Sequence, residues 1–152
     1  MAGRFRVAID GGSRGNPGPA AWGIAILDEE GGRVEGHAGH IGHATNNVAE
    51  YRALLEALAL AVEREADDVE IFADSELVVR QIQGRYRVKN ESLKVLYAEA
   101  VRLIARLPEF RIVHVRREKN KHADRMVNLA LDRAEADPQD PQTRIIETGA
   151  GS

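Results

Sequence analysis

The 152-residue chain carries 43% hydrophobic residues, no cysteine and a formal net charge of −3. That bounds it to one domain with a single core and excludes a disulfide framework, a thiolate metal site and a cysteine nucleophile. No apolar run approaches the ~20 residues of a membrane span, and the opening Met-Ala-Gly-Arg-Phe-Arg lacks the apolar region of a signal peptide, so a soluble, cytoplasmic, membrane-free protein is expected.

Phe5, Val7 and Ile9 alternate with Arg4, Arg6 and Ala8, the period of a strand, and the run ends at Asp10. After a Gly/Pro-rich turn comes a second strand, Trp22 to Leu27; Gly31-Gly32 turns it into a third, Val34 to Ile41, giving an antiparallel meander. Tyr51, Leu54, Leu55, Leu58, Ala61 and Val62 form the apolar stripe of a long helix, with Asn46 or Asn47 as its cap and Glu50 in its first turn. A helix of that length carries a right-handed crossover into Val69 to Ala73, making this strand parallel to the first, with Asp74 at its end.

Ser75 to Gln83 is predicted as a short helix stopped by Gly84, and Leu93, Tyr97, Val101 and Ile104 mark another, stopped by Pro108. Phe110 to Val115 is the fifth strand. Ala123, Met126, Val127, Ala130 and Ala134 define the last helix, with Asp124 in its first turn. The order βββαβααβα makes an α/β domain over residues 1–136, and the Pro-containing residues 137–152 are expected as a loosely attached tail anchored only by Ile145-Ile146.

Four acids therefore sit at element ends: Asp10, Glu50, Asp74 and Asp124. A carboxylate ending a buried strand loses hydration and needs a hydrogen-bond partner or a cation. Asp10 and Asp74 end neighbouring parallel strands at the carboxyl edge, where open α/β sheets place their sites. Oxygen-only ligands suit Mg²⁺ or Mn²⁺ rather than zinc, and such a cluster supports two ions about 4 Å apart, suited to phosphodiester hydrolysis. Taken singly, Glu50 or Asp124 is better explained as a helix-start acid favoured by the macrodipole.

The strings Asp10-Gly-Gly-Ser-Arg-Gly-Asn-Pro-Gly-Pro-Ala, Ala44-Thr-Asn-Asn-Val-Ala-Glu50-Tyr, Phe72-Ala-Asp74-Ser and Asn120-Lys-His-Ala-Asp124-Arg, in this order and spacing, resemble the type 1 ribonuclease H family across about residues 4–135. The resemblance implies a ribonuclease H-like five-stranded mixed sheet in the order 3-2-1-4-5, strands 1–3 antiparallel and strands 1, 4 and 5 parallel, flanked by helices. It implies endonucleolytic cleavage of the RNA strand of an RNA/DNA hybrid to 5′-phosphate and 3′-hydroxyl products, with two Mg²⁺ ions in the substrate complex and Mn²⁺ as a substitute. No small-molecule cofactor is expected, and the protein is expected to be a monomer.

By the same resemblance, Asp10, Glu50, Asp74 and Asp124 match the metal-binding acids. Asp10 and Asp74 take the bridging or central positions, Glu50 the ion nearer the RNA sugar, and Asp124 the ion serving the attacking water. Asn16, Asn46 and Asn47 match contacts to the RNA strand near the scissile bond, and Thr45 and Asn90 match a pocket for a DNA-strand phosphate. Gly11, Gly12 and Ser13 lie where the backbone approaches the sugar-phosphate, although for an isolated turn a plain hairpin is the better explanation of the glycines; helix capping is the alternative for Asn46, where both roles can coexist, and for Asn90.

In its departures from the better-known members the chain resembles the compact branch of the family, which lacks a basic protrusion. The segment Gly84 to Glu91 is short, Glu76 stands where many members carry Gln, and the loop Val115-Arg-Arg-Glu-Lys-Asn-Lys-His122 lacks their mobile histidine. Arg117 is the candidate catalytic assistant, holding phosphate but unable to act as a base; His122 is expected to face solvent. Basic residues gather at Arg80, Arg85, Arg87 and Lys89 and at Arg111, Arg116, Arg117, Lys119, Lys121 and Arg125, which permits one basic face or ordinary solvated charge. A proofreading-type exonuclease would need a second acid two residues after the first, where this chain has Gly12. Broader activity including double-stranded RNA, or a non-catalytic hybrid-binding module, remain as alternatives.

Overall fold

In a computed structural model that describes residues 4–139 and 144–149, the predicted meander is β1 (Arg4–Ser13), β2 (Gly18–Leu27) and β3 (Arg33–Ala44), with β4 (Asp68–Ala73) parallel to β1 and β5 (Glu109–His114) parallel to β4. The five-stranded order is as expected. A sixth strand, β6 (Ile145–Thr148), pairs antiparallel with β3, so the full order is β5-β4-β1-β2-β3-β6.

That strand corrects the expectation of a loose tail for residues 145–148. Ile145 is buried against Met126 and Leu131, and Glu147 accepts from Arg33 and Arg125, each at 2.8 Å. Pairing also occupies the otherwise open edge of β3. Residues 140–143 and 150–152 of the expected tail, and residues 1–3, lie outside the described residues.

Among the described residues four α-helices cover the sheet: α1 (Asn46–Glu63), α2 (Glu76–Ile82), α3 (Glu91–Ile104) and α4 (Lys121–Ala136), the last preceded by a 3₁₀ turn at Arg117–Lys119. On one face, Tyr51, Leu54 and Leu58 of α1 pack on Val7, Ile9, Ile24 and Ile71. On the other, α4 lays Ala123, Met126, Val127 and Ala130 over Ala8, Ala21, Ala25 and Ala38. The small residues on that face let α4 come close: a Cβ on Gly23 would stand 2.7 Å from the Val127 nitrogen. The apolar face of α3 buries Leu93 and Ala100, whereas Val101, predicted on that face, is 45% exposed. No helix among the described residues is long and apolar enough to cross a membrane.

Several element boundaries shift by a few residues, two of them at the acids. β1 runs through Asp10 to Ser13 because its antiparallel pairing with β2 continues to Ser13↔Ala20, while its parallel pairing with β4 stops at Ile9↔Ala73. Thr45, rather than Asn46 or Asn47, caps α1 by accepting from the Val48 amide at 3.2 Å, because only Thr45 has the extended backbone a cap needs. Glu50 consequently falls in the second turn of α1, while Asp124 lies in the first turn of α4 as predicted.

Candidate active site

Beyond Ile9↔Ala73 the strands β1 and β4 part, and the next residue on each is an acid, Asp10 and Asp74. The third acid arrives through a glycine. A Cβ on Gly11 would lie 2.2 Å from the carbonyl carbon of Ala49, so only a bare backbone lets α1 seat on β1 and carry Glu50 to Asp10. The Gly11 N–H donates to Asp10 Oδ1 at 2.9 Å and also to Glu50 Oε1. One oxygen from each of Asp10, Glu50 and Asp74 lies within 4.8 Å of the others.

Asp124 stands outside this trio but lines the same cleft of about 500 Å³. It is exposed, and Asn128 donates to its carboxylate at 3.4 Å. Asp10 and Glu50 are each only 8% exposed. Burial, then the Asp74 charge and to a lesser extent the Asp124 charge, pushes the Asp10 carboxyl up to about 7, against opposing hydrogen bonds from Glu50 and Gly11. Glu50 is raised well above the usual carboxylate range by burial and then by Asp10 and Asp74. Three converging carboxylates with few donors are relieved by a cation. The donor set is entirely oxygen, so these residues fit a hard divalent ion such as Mg²⁺ or Mn²⁺.

The Reverse transcriptase-like family model matches residues 8–130. Ribonuclease HI of Halobacterium salinarum is 42% identical over 132 residues, 87% of this chain. A ribonuclease H1 obtained from compost by a metagenomic approach, solved in complex with an RNA/DNA hybrid, is 44% identical with a TM-score of 0.80, covering 86% of this chain and 99% of that one. The chain belongs to the type 1 ribonuclease H family. The solved N-terminal ribonuclease H domain of a bifunctional Mycobacterium tuberculosis protein is also similar, at 40% identity and a TM-score of 0.83 over 89% of this chain and 98% of that one. The chain spans 66% of the length of the Halobacterium protein and 35% of the full Mycobacterium protein.

Of the residues that the ribonuclease H resemblance singled out, Gly11, Gly12, Ser13, Asn46, Asn47 and Arg117 line the cleft with the four acids. Asn16, Thr45 and Asn90 do not. Thr45 and Asn90 are helix caps, Asn90 accepting from the Leu93 amide at 3.1 Å. Asn46 Oδ1 accepts from the Ser13 N–H at 2.9 Å and from its hydroxyl at 3.0 Å, while the Asn46 N–H donates to Asn16 Oδ1 at 3.1 Å. These bonds tie the end of β1 and the following turn to the start of α1. His122 is exposed and is not part of the cleft wall.

Sequence reasoning missed Arg14, Ser75 and Asn120 as individual residues, although all three lie in or beside the quoted strings. Arg14 lines the cleft while pairing with Asp132 at 2.8 Å and Glu135 at 2.5 Å. Ser75 caps α2 at 3.2 Å from the Val78 amide. The predicted basic set is partly spent: Arg111 pairs with Asp68 and Glu70, Arg80 with Glu76, and Arg125 with Glu147. Arg85, Arg87, Lys89, Arg117, Lys119 and Lys121 make no ion pair with a described residue.

Proposed function

We propose that this ribonuclease H domain is a metal-dependent endonuclease that hydrolyses the RNA strand of RNA/DNA hybrids, leaving 5′-phosphate and 3′-hydroxyl ends. The observation that carries the reading is the convergence of Asp10, Glu50 and Asp74 within 4.8 Å in a cleft shared with Asp124. The hybrid-bound relative of 44% identity supports the choice of substrate. Asp10, Glu50, Asp74 and Asp124 would hold two Mg²⁺ ions, with Mn²⁺ able to replace them. Such ions supply an activated water and charge stabilisation at the leaving oxygen.

The chain's own residues hold and select the substrate. Asn46 spends its Oδ1 on Ser13, so its Nδ2 donors remain for a ribose hydroxyl or a phosphate oxygen. Asn47 offers both donor and acceptor, which a 2′-hydroxyl can match. Gly12, with nothing nearer than 3.8 Å to a Cβ built on it, leaves room for a backbone approach. The Thr45 hydroxyl proton and the Asn90 Nδ2 stay available to a DNA-strand phosphate while their oxygens cap helices. Arg117, always protonated, holds the scissile phosphate and takes no proton.

Matched RNA/DNA, RNA/RNA and DNA/DNA duplexes incubated with and without Mg²⁺ test the reading. The RNA strand of the hybrid is cut only when metal is present. Hybrid left intact in both Mg²⁺ and Mn²⁺ would refute it, and equal cutting of RNA/RNA would widen the substrate class.

A further inference from the structure

We propose that Asn120 is a positioning residue for the metal site, fixing Asp74 through one carboxylate oxygen and leaving the other for a cation. The inference rests on the metal-dependent reading above. Asn120 immediately precedes α4, a position at which asparagine ordinarily spends its side-chain oxygen on the first helical amides. Here it makes no capping bond, and its Oδ1 has no partner among the described residues. The side chain is instead turned inward, 1% exposed. Its Nδ2 donates to the Ile9 carbonyl at 2.8 Å and to Asp74 Oδ2 at 2.9 Å. Both amide hydrogens are matched and the oxygen is not, so the group is held there for its donors.

The two acceptors define its reach. Ile9 is the last β1 residue paired with β4 and directly precedes Asp10, while Asp74 directly follows β4. One amide therefore bridges the points at which both acid-bearing strands end their pairing, from the root of the helix that carries Asp124. A lysine or arginine at this place would bring a positive charge competing with a metal ion for the same carboxylate. A neutral amide orients Asp74 without cancelling its charge. With Oδ2 committed to Asn120, Oδ1 of Asp74 takes no hydrogen bond from a described residue.

Asn120→Leu keeps most of the volume and removes both donors. Mn²⁺ binding to the substrate-free protein, followed by calorimetry well below the melting temperature, is expected to weaken about 10- to 100-fold, the usual range for losing a group that orients a ligand. On hybrid, kcat falls by a comparable factor while KM stays within about twofold. A folded variant with wild-type Mn²⁺ affinity and kcat, altered only in melting temperature, would reduce Asn120 to a brace between strand and helix and overturn the proposal. A wild-type protein that binds no Mn²⁺ would instead overturn the metal-dependent reading itself. Should Asn120→Leu fail to fold, Asn120→Ser, which retains one donor, is judged identically: weakened Mn²⁺ binding supports the role and unchanged binding overturns it.

Discussion

Asp10 and Glu50, one from a strand and one from a helix, accept the same backbone hydrogen, that of Gly11. A single neutral donor shared by two buried carboxylates leaves their charge largely uncompensated, and it also makes the distance between them depend on one residue having no side chain.

Gly11→Ala places a Cβ 2.2 Å from the Ala49 carbonyl carbon and 2.4 Å from the Glu50 nitrogen, both backbone atoms that cannot swing aside. The variant is expected to lose about 3 kcal/mol of stability in denaturant titrations, at the upper end for overpacking, together with hybrid cleavage. Gly12→Ala, with no neighbour nearer than 3.8 Å, keeps its stability within about 0.5 kcal/mol. Equal stability for the two variants would show that α1 does not seat on Gly11.

Metal-free stability should fall as pH rises from the ordinary Asp10 value of 3.8 towards about 7. Across that window the folded protein keeps a proton that the unfolded chain has released, so deprotonation favours unfolding. Glu50 acts in the same sense. Glu35, held down by Arg64, and Glu147, held down by Arg125 and Arg33, act oppositely at lower pH, which is why the comparison is made against Asp10→Asn. That variant should flatten the decline and melt several degrees higher without metal near pH 8, at about 2–4 °C per kcal/mol for a domain of this size. Identical pH profiles for the two proteins would contradict the crowding of charge at Asp10.

Substrate grip should be electrostatically shallow. Arg85, Arg87 and Lys89 are exposed beside Tyr86 and Lys94. Their joint replacement by alanine should lower the log-log salt slope of hybrid binding by about 0.9 for each phosphate that is no longer neutralised, and raise KM more than it lowers kcat. An unchanged slope would move the binding face to Arg117, Lys119 and Lys121.

Arg117 lies on the cleft wall and His122 does not. Arg117→Ala is expected to lower kcat about 10-fold, equivalent to one interaction of ~1.4 kcal/mol, and His122→Ala to leave it near normal. Steady-state kinetics giving the reverse order would make the histidine the functional residue.

Much of this was legible because period and punctuation are local. Alternation marked β1, glycine turns closed the meander, and apolar stripes placed α1 and α4. The acids stood out because each interrupts or begins such a pattern. What escaped depends on distant partners. β6 is four residues held by β3 and by Glu147 meeting Arg33 and Arg125, and strand propensity without its neighbours carries little information. Asn120 has the sequence appearance of a cap, and only its inward side chain distinguishes it. Arg111 counted as basic surface until Asp68 and Glu70 came beside it through the parallel pairing of β4 with β5.

The most direct measurement is cleavage of an end-labelled RNA strand within a hybrid at saturating Mg²⁺ by wild type, Asp10→Asn and Asp74→Asn, each shown by circular dichroism to be folded. Wild type should cut, and both variants should lose turnover by about 1000-fold or more, some 4 kcal/mol of transition-state stabilisation. Near-normal hydrolysis by either folded variant would contradict a carboxylate-held metal site as the source of the chemistry.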